Sequence, residues 1–304
     1  TGEGFGHAAR MVVIARLLEK SHRVSYFVPK SVKRFLEEKI PDFRCEEIPH
    51  FAFAKRGGGV DLAGTVVKNL PNAWLFPERV GRLARRLRAS GVDAIISDFD
   101  PHLAWAGRAA GIPVLQINHP GIIAKHLSPD PRSWFPAVGA FLMEGPWDER
   151  IHISFYGGDA GPLFRQSLFQ FPVHDAGYLL FYMQEPYRRE VARVLSRFPD
   201  LPVRMFPSPG ENFEEALAGC RAVVASAGHQ IIAESIRLGK PILVVPRKGQ
   251  WEQTINARML EKTGAGAWTT TKDLRRDLPL FLESLRSYSR IPDIIHLSHL
   301  SHGN

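Results

Sequence analysis

Two polar runs, one histidine and a pair of aspartates carry most of the chemistry that residue type and spacing allow in this 304-residue chain. The run Ser226-Ala227-Gly228-His229-Gln230-Ile231-Ile232-Ala233-Glu234-Ser235 follows the apolar stretch Ala222-Val223-Val224-Ala225. A glycine turn between a strand and a helix that starts near Gln230 leaves backbone N–H groups and the positive end of the helix dipole free to meet a diphosphate. Gly228 lets an anion approach with no Cβ in the way. Glu234 lies one to two turns into the helix, and its carboxylate can accept from two neighbouring hydroxyls, as on a ribose. Glu252 and Gln253, an acid beside an amide, can grip vicinal sugar hydroxyls. Alone, Gly228 and Glu234 fit an ordinary turn and a solvated acid equally well. Near the start, Gly2-Glu3-Gly4-Phe5-Gly6-His7-Ala8-Ala9-Arg10 runs into a helix. Its G-x-G-x-G spacing is not that of a dinucleotide fingerprint. His7 titrates near neutrality, which suits proton transfer, a helix cap or a core position. Ser97-Asp98-Phe99-Asp100-Pro101 closes a buried strand, where sites of α/β folds collect. Asp100-Pro101 also suits the start of a helix.

Alternating strand and helix signals position these residues. In the first half the periodicity predicts helices over 11–20, 31–39, 77–89 and 102–110, and strands over 24–28, 93–97 and 114–117. Residues 123–172 break the pattern with Pro, Gly and aromatics. The series resumes with strands over 178–183, 203–206, 222–225 and 242–245. Helices are expected over 185–198, 213–219, 230–238, 254–263 and 280–287. Strand, helix, strand with short connections implies parallel sheets with helical crossovers. The expectation is an α/β fold of two Rossmann-like doubly wound domains facing across a cleft. The N-terminal domain is expected over 1–155, a linker over 156–176 and the C-terminal domain over 177–304. A strand is expected ahead of the glycine cluster.

Composition narrows the class. With 44% hydrophobic and 23% charged residues the chain reads as an ordinary folded protein. No run reaches the ~18 apolar residues of a membrane-spanning helix. Cys45 and Cys220 lack metal or disulfide spacing, and no secretory leader is read, so cytoplasm is the default compartment. The net charge of +8 is uneven: residues 1–125 hold 19 basic and 12 acidic side chains, the remainder 20 and 19. Arg79, Arg82, Arg85, Arg86 and Arg88 share one helix, with Lys30, Lys33 and Lys39 in the same half. Such a face is solvated, or it lies on anionic lipid. No nucleic-acid motif is present, so nucleic acid is not expected as a partner.

The order of elements from Ala222 to Gly266 resembles the donor-sugar region of GT-B glycosyltransferases, including the bacterial muramyl-pathway N-acetylglucosaminyltransferase and the UDP-glycosyltransferases. Gly228, Glu234, Gly239, Pro241, Pro246, Glu252, Gln253, Asn256 and Ala257 match the shared pattern in register. The resemblance implies that Glu234 binds ribose hydroxyls, that Gly228, His229 and Gln230 cradle the diphosphate, and that Glu252 and Gln253 hold the sugar. Ser226 stands where many relatives carry His or Arg, which leaves Lys248 or His229 to balance the diphosphate charge. The glycine loop with Gly4 and Gly6, ending in His7, also resembles GT-B enzymes. It implies that His7 is the general base for an acceptor hydroxyl. An aspartate after the equivalent strand pairs with the histidine in plant relatives, which points to Asp98, with Asp100 as the alternate. Asn118 and His119, ending the next strand, are candidates for the acceptor side.

The expected activity is transfer of a sugar, as a hexosyltransferase, from a UDP-sugar substrate to an acceptor hydroxyl, with no cofactor and no metal. A nucleotide-sugar hydrolase, a UDP-sugar epimerase and a non-catalytic nucleotide-sugar-binding subunit remain as alternatives. The basic half suggests a lipid-linked acceptor, or an anionic membrane surface at the inner face.

Overall fold

Short apolar runs ended by turn residues give short strands, and each strand of the C-terminal sheet is followed by an α-helix in the order of elements. The computed structural model describes residues 5–38, 40, 42–56, 59–126, 134–185 and 187–288. The chain forms two compact units. The first comprises Thr1–Arg56, Val60–Ser154 and Gly158–Leu163; the second includes Phe155–Gly157 and the chain from Phe164 onward. The stretch 156–176, expected as a linker, is thus shared between them.

The first unit contains α1 (Phe5–Leu18), β1 (Tyr26–Val28), α2 (Lys30–Glu37), β2 (Cys45–Glu47), β3 (Ala54–Arg56), β4 (Gly59–Asp61), α3 (Leu62–Trp74) and α4 (Phe76–Ser90). It continues with β5 (Ile95–Ser97), α5 (Pro101–Ala110), β6 (Val114–Asn118), α6 (Trp134–Glu144) and β7 (Glu149–His152). β1 and β2 pair in parallel, as do β5, β6 and β7 in that order. α4 turns Val80, Leu83, Ala84 and Leu87 inward, where they pack with Leu103, Ala104 and Ala106 of α5 and with Ile95 and Val114. Asp100 caps α5, its Oδ1 accepting the Leu103 N–H at 3.1 Å, and Pro101 takes the first helical position.

The second unit contains β8 (Leu179–Tyr182), α7 (Tyr187–Leu195), β9 (Val203–Phe206), α8 (Phe213–Gly219), β10 (Ala222–Ala225), α9 (His229–Arg237), β11 (Ile242–Val244), α10 (Trp251–Thr263), β12 (Gly266–Trp268) and α11 (Leu274–Glu283). All five strands are parallel, in the order β12-β11-β10-β8-β9. β10 and β11 are buried throughout, as strands covered on both faces must be. The chain first runs from β8 to one edge at β9, then crosses back to β10. The reversal lies between β8 and β10, and ligands of such sheets bind beyond the strand ends at that point. Those ends are Tyr182 and Ala225, and the 226–228 turn follows Ala225 directly.

Several elements differ from the pattern reading. α1 begins at Phe5 rather than 11, so Gly6 and His7 lie in its first turn. Gly4 lies outside the described residues. α10 begins at Trp251, which puts Glu252 and Gln253 on a helix rather than a loop. The helix expected over 280–287 runs instead over Leu274–Glu283, with Pro279 inside it.

Candidate functional site

In the first unit, α1 places His7 and Arg10 one turn apart on one face. Both reach Asp98, just beyond the end of β5. His7 Nδ1 stands 2.8 Å from Asp98 Oδ1. Arg10 donates through Nε to Oδ2 at 3.1 Å, and through Nη2 to both carboxylate oxygens at 2.9 Å. Arg10 Nη2 also lies 3.0 Å from His7 Nδ1. Nδ1 cannot both donate to Asp98 and accept from Arg10. With Asp98 ionised, the carboxylate is the stronger partner, which assigns the proton to Nδ1 and leaves Nε2 with its lone pair.

The electrostatics agree with that assignment. Burial would raise the Asp98 pKa, but the Arg10 guanidinium and then His7 overcome it and hold the carboxyl well below the usual range. Burial lowers the His7 pKa from 6.5; Asp98 opposes the shift and Arg10 adds to it. The ring is therefore neutral at pH 7. Phe99 stacks on it, with centroids 6.2 Å apart and planes 18° apart. Phe99 adopts φ 58°, a left-handed conformation that costs a bulky residue strain and that recurs at functional sites. A cavity of about 80 Å³ adjoins the pair, lined by His7, Met11, Phe27, Val28, Ile96 and Asp98 among others.

The three other first-unit candidates have partners of their own, and Asp100 also lines that cavity. Asp100 is occupied as the α5 cap. Asn118 donates to Glu144 Oε1 at 2.9 Å and accepts from the Gly121 N–H at 2.9 Å. Glu144 also meets His152 Nε2 at 2.8 Å. His119 Nδ1 meets the Ile153 carbonyl at 3.0 Å. Asn118 and His119 are both buried, and they knit the β6 end to β7. A Cβ on Gly121 would sit 2.1 Å from Glu144 Oε1, so this network also requires that glycine.

In the second unit the glycine turn is braced from two sides. Gly228 N–H donates to the Ser226 carbonyl at 2.7 Å, and Ser226 N–H to Tyr182 at 3.4 Å. Asn256 donates to the Ala227 carbonyl at 3.1 Å and accepts the Tyr156 hydroxyl at 2.7 Å. Gly228 has φ −73° and ψ 138°, and the nearest atom to a built Cβ is 3.8 Å away. The fold itself does not demand glycine there. His229, the first residue of α9, accepts the Phe155 N–H on Nε2 at 3.2 Å and stacks on the Phe155 ring. A ring accepting on Nε2 is neutral, so His229 is not a cation for a phosphate.

Glu234 is buried and multiply bonded. Arg165 Nη2 donates to its Oε1 at 2.9 Å and its Oε2 at 3.1 Å. Gln230 Nε2, one turn earlier, donates to Oε1 at 2.9 Å. Arg165 Nη1 also pairs with Glu214 Oε1 at 2.8 Å. Burial disfavours the Arg165 charge, but Glu234 and Glu214 outweigh it and hold the guanidinium ionised. Gln253 Oε1 accepts the Arg247 N–H at 2.9 Å and fixes the loop before α10. Phe206 is core, while the half-buried Tyr182 and Phe213 pack together at the strand ends, 5.1 Å between centroids. Pattern reading left Arg10 and Arg165 without roles. Arg10 was findable from its i, i+3 spacing to His7; Arg165 meets a partner 69 residues away.

A family model described as glycosyl transferase family 1 matches residues 1–134 and 188–286. An uncharacterized glycosyltransferase of Methanosarcina mazei is 24% identical over 319 residues, covering 87% of this chain and 83% of that protein. Among solved structures, LpCGTa in complex with UDP superposes with a TM-score of 0.60 at 18% identity, covering 98% of this chain and 91% of that one. Acinetobacter baumannii MurG gives 0.55 at 14% identity, covering 98% and 92%. These likenesses show the fold to be GT-B.

Proposed function

From the premise that this chain belongs to glycosyl transferase family 1, we propose that it moves a sugar from a UDP-sugar to an acceptor hydroxyl with His7 as general base. The observation that carries this reading is the His7–Asp98–Arg10 cluster, in which Asp98 and Arg10 are buried and His7 is partly exposed. Asp98 holds Nδ1–H, so Nε2 faces the acceptor as a base whose depressed pKa keeps it unprotonated near neutrality. As the acceptor oxygen bonds to the anomeric carbon, its proton passes to Nε2. The bond from that carbon to the diphosphate breaks, and UDP leaves. The start of α9 and the turn at 226–228 take the charge that develops on the diphosphate. Glu234 receives the ribose, and Glu252 and Gln253 the sugar. The UDP bound to LpCGTa, a structure of the same fold, supports the choice of nucleotide.

For the acceptor we favour a lipid-linked molecule presented at an anionic membrane surface. Val66, Val67, Leu70 and Trp74 lie on one face of α3 and are all exposed, Trp74 at 86%. The arginine-rich α4 follows immediately. Apolar and aromatic side chains beside clustered positive charge are what an anionic bilayer surface retains.

The test is UDP release from a panel of UDP-sugars, with and without candidate acceptors, for the native protein and the His7→Ala variant. Expected are acceptor-dependent release, and a loss of roughly 10²–10⁴-fold in the variant with UDP binding intact. Unchanged turnover in His7→Ala removes the base assignment. Release that no acceptor improves replaces transfer by hydrolysis.

A further inference from the structure

α6 turns its small residues to its own unit and its large ones to solvent. Ala137 and Ala140 are buried, while Trp134, Val138, Phe141 and Leu142 are exposed, the last two at 62% and 63%. Their i, i+4, i+7, i+8 spacing makes one continuous apolar ridge. Beside it, Phe141 and Leu142 join Trp105 of α5 and Trp147 in lining a groove of about 510 Å³. Both tryptophans are exposed as well. Gly145 lines the groove with φ 68°, and a Cβ there would stand 3.0 Å from that of Ala104. Glycine therefore stops α6 and lets the chain pass close to α5.

The charges at the edge of this face are mixed. Arg108 lines the groove and lies 3.8 Å from Asp148. Arg150 stands 4.7 Å from the centroid of the Trp147 ring and pairs with Glu144 at 3.3 Å. Glu149 is exposed. The face around α3 is different, because the arginine-rich α4 follows it. An edge of both signs offers an anionic bilayer no net attraction. It matches a surface with the same mixture, since a two-fold axis can set Arg108 of one chain against the acids of the other. A ridge beside a groove is self-complementary in shape for the same reason.

The area is sufficient. At roughly 150–250 Å² for an aromatic side chain, the exposed parts of this face present about 500 Å² of apolar surface. Two copies together would cover about 1,000 Å² before any rim is counted, which is where specific interfaces begin. Aromatic anchors of this kind, with an arginine at the edge, are what the centre of such an interface is made of.

We infer that this face is the interface of a two-fold homodimer, in which the α6 ridge of each chain fills the groove between Trp105 and Trp147 of the other.

Sedimentation velocity from low to high micromolar concentration, on the native protein, Phe141→Asp and Leu280→Glu, tests this. The native protein should form a reversible species of twice the chain mass and nothing larger. Phe141→Asp should raise the dissociation constant about tenfold or more, as loss of a buried aromatic anchor does. Leu280→Glu, an equally exposed apolar position on α11, should leave it unchanged. Circular dichroism melts check that each variant is folded. If Phe141→Asp does not fold, Arg108→Glu decides: a rise of roughly threefold or more in the dissociation constant supports the interface, and no change overturns it. A native protein that stays monomeric at every concentration overturns the inference. So does a dimer that Phe141→Asp leaves intact, or a series of species beyond two copies, which a closed two-fold contact forbids. A native monomer whose binding to anionic vesicles is lost in Phe141→Asp would give the face to a bilayer instead.

Discussion

The proposed base, His7, sits where burial and two opposed neighbours, Asp98 and Arg10, set its proton affinity. Because burial and Arg10 depress the His7 pKa, the acid limb of a kcat/KM profile should have its midpoint below 6.5, with a plateau through neutrality. A native midpoint above 6.5 would contradict the geometry. Arg10→Met should move that limb to higher pH, since the guanidinium disfavours the imidazolium. Asp98→Asn should cost roughly 10²–10⁴-fold in kcat, because an amide neither fixes the Nδ1 tautomer nor stabilises the imidazolium. The same shifts act on stability. Below pH 6.5 the unfolded chain takes up a proton at His7 more readily than the native state, and at lower pH the same holds for Asp98. Stability is therefore lost as pH falls through those ranges, which acid titration of the melting temperature would display.

At the scale of elements, the glycine turn separates fold from function. Gly228→Ala meets no clash and no forbidden φ, so the melting temperature should stay within about 2 °C, while UDP affinity falls as the Cβ fills the approach. A large loss of stability would show that the turn needs glycine for itself. Asn256→Ala should behave in the opposite way, costing about 2–4 kcal/mol in chemical denaturation because the Tyr156 hydroxyl and Ala227 carbonyl lose their partner. Much of this was legible in the sequence. The strands at 203–206 and 222–225 and the helix at 213–219 have the expected bounds, since each is an apolar or capped run ended by its own turn residues. α6 was not legible, because its large apolar residues face outward: Trp134, Val138, Phe141 and Leu142 are exposed while Ala137 and Ala140 are buried. Arg165 was invisible for a different reason: its two partners lie 49 and 69 residues away in the sequence, and no local period records such a pairing.

For the whole molecule, the sequence already indicated two α/β series and an uneven charge, and the fold is GT-B. No helix among the described residues is long and apolar enough to cross a membrane. The positive charge of the first half predicts co-sedimentation with anionic vesicles at low salt that weakens as salt shortens the Debye length. Trp74→Glu should reduce it further without altering UDP binding, and absence of sedimentation at low salt would remove the membrane proposal. The brace formed by Asn256 has one more consequence. A single side chain joins Tyr156, the 226–228 turn and the helix that carries Glu252 and Gln253. Under the proposed function, the grip on the nucleotide and the grip on the sugar are therefore one heritable piece. A chimaera that imports α10 from a relative to change sugar preference must import the matching turn and the residue at 156 with it, or lose the nucleotide as well.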